Sequence, residues 1–170
     1  MTLDDLNNLP AEQANSTFIS CCAAERWAGK MVDGRPYASV DELLQKADEY
    51  WWTMAEPDFL QAFTAHPKIG DVDSLRARYA NTKAIAANEQ SGANSAPEEV
   101  LQALSAGNTE YENKFGFIFI VFATGKSAAQ MLELLNQRLP NTREQEIRNA
   151  AENQMMITDL RIKKILGLAQ

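Results

Sequence analysis

The chain has 170 residues, a formal net charge of -7, 45% hydrophobic residues and two cysteines. Its length suits one domain that buries roughly 70% of the surface its unfolded form exposes, and its acidic balance, with no cluster of Lys and Arg, excludes an ordinary nucleic-acid binder. No apolar run reaches the ~18 residues needed to cross a bilayer, and the adjacent Cys21 and Cys22 supply neither a disulfide framework nor a zinc-like spacing, so a cytoplasmic, reducing setting is expected. The acidic opening Met1-Thr2-Leu3-Asp4-Asp5 does not read as a secretory signal, and the closing Gly167-Leu168-Ala169-Gln170 carries no peroxisomal address.

In chain order, Pro10 to Cys22 reads as a short helix with Ala14, Phe18 and Cys21 or Cys22 inward. Ser39 answered by Glu42 opens a longer one, whose Leu43, Leu44, Ala47, Tyr50, Trp51 and Met54 form an apolar stripe at helical period. Pro57 to Ala65 is the next, with Leu60 and Phe63 inward, followed by Ser74 to Ala80 and Lys83 to Ser91. Ser95 with Glu98, and Pro97 in the first turn, opens a helix through Leu101 and Leu104 that should stop near Gly107. Ser127 to Leu139 is helical, and Asn141 with Glu144 opens a last helix of about 25 residues ending at Gly167. That helix puts Ile147, Ala151, Met155, Thr158, Ile162 and Ile165 on one face.

One stretch breaks this rhythm. Phe117-Ile118-Phe119-Ile120-Val121-Phe122 has strand-like composition but no partner strand, so it is either an extended buried segment or a buried helix. The fold expected is therefore all-α, a single-domain multi-helix bundle over 1–170 with one buried extended or irregular segment near 117–124. Buried irregular main chain is a place where a ligand can be hydrogen-bonded.

The single histidine lies in Ala65-His66-Pro67-Lys68-Ile69-Gly70-Asp71, after a predicted helix and before a proline that forces its backbone out of the helical region. A lone histidine is more often a structural residue than a site, yet it is the one side chain that gives and accepts a proton near neutrality unaided. Glu89-Gln90, at the predicted end of a helix, reads on its own as solvated surface. Cys21 and Cys22 sit in an amphipathic pattern with Phe18 and Trp27, which suits small buried residues better than a nucleophile. Trp51-Trp52 reads as core and rim of one helix. Gly125-Lys126-Ser127 lacks the upstream glycine of a phosphate loop.

His66-Pro67-Lys68-Ile69-Gly70-Asp71, then Glu89-Gln90, Tyr111, Phe115-Gly116-Phe117 with its apolar tail, and Gly125-Lys126 together resemble the 2-oxo-4-hydroxy-4-carboxy-5-ureidoimidazoline (OHCU) decarboxylase family in order and spacing. The run Glu152-Asn153-Gln154-Met155-Met156-Ile157-Thr158-Asp159-Leu160-Arg161 is similar to that family's final helix, and the resemblance covers essentially the whole chain. It implies a homodimeric, all-α enzyme of urate degradation, needing no metal or organic cofactor, that forms (S)-allantoin. His66 would be the catalytic acid/base group and Glu89 would lie beside the substrate. Pro67, Ala86, Ala87, Asn88 and Gln90 would line the pocket, with main-chain contacts from Ile120, Val121, Phe122, Ala123 and Thr124. An ionised Glu89 near His66 would raise the imidazole pKa.

Two positions depart from the family pattern. Ala86 stands where many members have Ser, and Thr124 where many have Arg. Lys126 is then the expected cation, as a point charge and not a planar fork. The competing expectations are a helical ligand-binding or interaction protein with His66 as mere lining, and a hydrolase using Cys21 or Cys22.

Overall fold

Side-chain caps at Thr2, Ser39, Ser127 and Thr142 fix where four of the helices begin. The structure, a computed structural model, describes residues 1–67, 72–79 and 98–169, and among these residues it holds nine helices and no strand. They are α1 (Leu3–Asn8), α2 (Ala11–Cys21), α3 (Glu25–Asp33), α4 (Val40–Trp51), α5 (Glu56–Thr64), α6 (72–79), α7 (Glu98–Phe115), α8 (Ala128–Arg138) and α9 (Arg143–Ile165). Ser39 Oγ accepts the Glu42 N–H at the start of α4, and Ser127 with Gln130 forms a two-way box at the start of α8, as the spacing of these residues requires.

Four expectations about elements need correction. Two helices, α1 and α3, were not anticipated. The first is opened by a Thr2–Asp5 capping box, the same signal used elsewhere; the second has no side-chain cap at Ala24 and is carried by Trp27, Ala28 and Met31, which burial selects on one face. Helix α7 does not stop near Gly107 but continues to Phe115, because Gly107 is a packing glycine: a Cβ there would lie 2.6 Å from Leu135 Cδ2. The true stop is Gly116, at φ 84°, in the left-handed region that glycine enters without penalty. Helix α9 is capped one residue later than expected, by Thr142 with Gln145, while Asn141 Nδ2 donates to Glu146 Oε2. Its C-terminus ends as anticipated at Gly167, φ 73°, with Leu168 N–H on Lys163 O and Gly167 N–H on Lys164 O, the paired bonds of a Schellman cap.

The chain forms two compact units. The first comprises Met1–His66, Ile120–Phe122 and Ile147–Gln170. Its core holds Phe18, Trp27, Met31, Leu43, Trp51 and Phe63, and both buried indoles are satisfied: Trp27 donates to Ala47 O and Trp51 to Ala151 O, each at 2.9 Å. Trp52 is half-buried, with the Arg148 guanidinium 4.5 Å from its ring centroid, so the core-and-rim reading of this pair holds. At the start of α5 the Asp58 carboxylate accepts from Ala55 N–H and pairs with Arg26 at 2.8 Å.

The second unit comprises Pro67–Phe119 and Ala123–Glu146. Tyr111 packs tilted against Phe115 and edge-on against Phe117 and Phe119, at centroid separations of 4.5, 5.9 and 5.2 Å. The strand-like run is thus ordinary apolar core at Phe117 and Phe119, and it is irregular main chain, not helix. Beneath it, fully buried Glu146 accepts from Arg138 Nε at 2.7 Å and from the Tyr111 hydroxyl at 2.6 Å. A charge buried this deeply is tolerated only when paired and hydrogen-bonded in this way.

Candidate active site

Helix α5 ends at Thr64, and the following turn places His66 N–H on Phe63 O at 3.2 Å. The ring is half-buried in the first unit. Its Nε2 lies 2.5 Å from Oε1 of Gln154 on α9, and Gln154 is itself 1% exposed. The Gln154 amide nitrogen donates to Thr158 Oγ1 at 3.2 Å. The Thr158 hydroxyl faces Gln154 O at 2.8 Å and Cys21 O at 3.4 Å. Arg161, one turn nearer the C-terminus, also donates to Cys21 O.

The neighbouring residue on α9 holds main chain. Asn153 Oδ1 accepts the Phe122 N–H at 2.9 Å, and its own amide nitrogen is tied back to Asn149 O. Consecutive side chains of one helix therefore grip the histidine and the irregular segment. The Phe122 amide is committed to Asn153, so its N–H is not a donor for a substrate, which narrows the main-chain contacts expected from this residue.

The pKa of His66 is lowered from its ordinary value, first by burial and also by the nearby Arg161 guanidinium, with the Gln154 hydrogen bond opposing both. Burial disfavours the imidazolium because the charge loses its hydration. Cys21 and Cys22 are buried and hold their protons: burial pushes the thiols up to about 11 and about 12. A thiol so placed is a poor nucleophile near neutrality.

Of the expected site residues, His66, Ile120, Val121 and Phe122 fall in the first unit and Pro67, Ala123, Thr124 and Lys126 in the second. Thr124 is exposed, and Lys126 is half-buried with its N–H on Ala123 O at 3.1 Å. Glu89, Gln90, Ala86, Ala87 and Asn88 lie outside the described residues, as does the predicted helix from Lys83 to Ser91. An open apolar groove of the second unit, lined by Val100, Ala129, Leu132, Glu133, Asn136 and Gln137, contains none of them. Among the described residues no three His, Cys, Asp or Glu side chains are grouped to hold a metal ion, and no helix is long and apolar enough to cross a membrane.

Sequence reasoning assigned no role to Asn153 or Gln154 and read Thr158 as part of an apolar face. The available signal was polar side chains set four apart in a stripe otherwise buried, which a core tolerates only if they are hydrogen-bonded.

Fold and site together define a protein that is all-helical among the described residues and whose one histidine is half-buried and held by a buried amide. Residues 7–163 match the model of a family described as OHCU decarboxylase, and the chain belongs to that family. It is 34% identical over 147 residues to the uric acid degradation bifunctional protein TTL of Arabidopsis thaliana, covering 86% of this chain and 45% of that protein. It is 22% identical over 166 residues to a 2-oxo-4-hydroxy-4-carboxy-5-ureidoimidazoline decarboxylase of Halalkalicoccus jeotgali, covering 97% of this chain and 92% of that protein. The chain thus spans less than half the length of the bifunctional relative and nearly all of the single-function one. A crystal structure of OHCU decarboxylase in the presence of (S)-allantoin matches with a TM-score of 0.68 at 32% identity, over 88% of this chain and 96% of that one.

Proposed function

We propose that this chain decarboxylates OHCU to (S)-allantoin, with His66 as the group that moves the proton. The observation that carries this reading is the placement of the only histidine, half-buried and held by a buried amide, in a chain of this family. Glu89 would lie beside the substrate. Pro67, Ala86, Ala87, Asn88, Gln90, the segment from Ile120 to Thr124 and Lys126 would line the pocket. The protein would act as a cytoplasmic homodimer, with residues 1–170 as a single decarboxylase domain.

The substrate carries its carboxylate on the ring carbon that also bears a hydroxyl, next to the imine carbon that bears the ureido group. When the carbon–carboxylate bond breaks, carbon dioxide leaves and the electron pair passes to the imine nitrogen, which takes a proton from solvent. The product of that step is an enol. Transfer of the hydroxyl proton to the ureido-bearing carbon turns the enol into a carbonyl and sets the stereocentre. The lowered pKa of His66 keeps its ring neutral near pH 7, so it begins as the proton acceptor and then returns that proton to one face of carbon. The protein's task is to orient the scissile bond and shield the enol from unselective protonation.

OHCU generated in situ from urate by urate oxidase and hydroxyisourate hydrolase decays at a rate that can be followed by absorbance. Wild type should accelerate that decay, and His66→Ala should lose about a hundred- to ten-thousandfold of the acceleration. Decay no faster than the buffer blank would remove the decarboxylase reading and favour a ligand-binding protein.

A further inference from the structure

We propose that Gln154, supported by Thr158, is a positioning residue that holds His66 as the Nε2–H tautomer and so assigns proton exchange with the substrate to Nδ1. The inference rests on the decarboxylase reading given above. It begins with the Thr158 hydroxyl, whose oxygen lies 2.8 Å from Gln154 O and 3.4 Å from Cys21 O. Carbonyls only accept, so the single hydroxyl hydrogen of Thr158 is taken by them. The other groups at Oγ1, the Cys22 thiol and the Gln154 amide at 3.2 Å, must then be donors, which places the Gln154 nitrogen toward Thr158. The amide oxygen is left facing His66 Nε2 at 2.5 Å. An oxygen at that distance requires a hydrogen on the ring nitrogen.

A neutral imidazole carries one hydrogen. With it committed to Gln154, Nδ1 keeps the lone pair, and among the described residues no side chain other than Gln154 hydrogen-bonds the ring. The support is rigid, because Gln154 and Thr158 are 1% and 0% exposed and sit one turn apart on α9. Among the described residues the charged group that acts on the ring is the Arg161 guanidinium on α9, which disfavours an imidazolium. The amide thus does for this imidazole what an outer partner does for a catalytic or metal-bound one, selecting the tautomer through a hydrogen bond to the nitrogen that does not react.

The chain has one histidine, so 15N-histidine labelling of the full-length protein gives one pair of ring-nitrogen signals, and long-range proton–nitrogen correlation reads which nitrogen is protonated. At pH 7.5 wild type should show Nε2 protonated and Nδ1 bare. Gln154→Leu should give a mixture of tautomers, with kcat for OHCU lowered ~10- to 100-fold and KM little changed. Gln154→Glu retains an oxygen acceptor and adds charge. It should keep the Nε2–H ring and move the acid limb of the pH–rate profile to higher pH, and it decides the matter if the leucine variant does not fold. Full wild-type turnover with an Nδ1–H ring, or a folded Gln154→Leu with unchanged kcat, overturns this proposal alone. A wild-type Nε2–H ring with OHCU decay equal to the blank overturns the decarboxylase reading instead, and with it any catalytic consequence of the tautomer.

Discussion

Burial sets the working charge of His66. Its pKa is lowered chiefly by desolvation, so the neutral ring persists to more acidic pH than in a free imidazole. If the neutral form accepts the substrate hydroxyl proton, kcat should fall on the acid side with a midpoint below the ordinary value of 6.5. A kcat profile between pH 5 and 8 checks this, and a midpoint at or above 6.5 would oppose it. The stability consequence has a definite sign. A basic group whose folded pKa is depressed by desolvation of its charged form favours the fold when neutral, so its contribution is present above the unfolded value and is lost as pH falls through the folded one. Histidine was legible at this scale because residue type and the following proline mark it out. Gln154 was less so, because its place one turn before Thr158 on the apolar stripe marks it as buried but does not say which side chain it faces until the facing element is known.

Helix boundaries show where local rules suffice and where packing overrides them. Ser39, Ser127 and Gly167 act as their sequence context dictates, since capping depends on residues three or four apart. Gly107 does not. It lies within α7 at the point where that helix meets Leu135 of α8, and the need for a missing Cβ comes from the partner helix and not from the local chain. Gly107→Ala should therefore destabilise the protein by ~1–3 kcal/mol through overpacking, despite the better helix propensity of alanine. Urea unfolding reports this as a lower midpoint, whereas an unchanged or raised midpoint would mean that Leu135 moves aside freely. The strand-like run from Phe117 to Phe122 was legible as an inward segment, either extended or helical, and the structure makes it irregular main chain. Its pairing with Asn153 was not, because that bond joins residues 31 apart in sequence.

For the molecule as a whole, the all-helical class followed from repeated capping boxes and apolar stripes of period 3.6. The division into two compact units, each drawn from separated stretches of chain, did not follow, because only long-range contacts define it. Family membership rests on residues 7–163 taken together and not on any one motif. The proposed reaction places a proton on one face of carbon. Circular dichroism of the product formed from OHCU in situ tests it most directly. Wild type should give a single-signed signal that grows with protein concentration and reports (S)-allantoin, and His66→Ala should give none. A racemic product formed at the uncatalysed rate by wild type would contradict it.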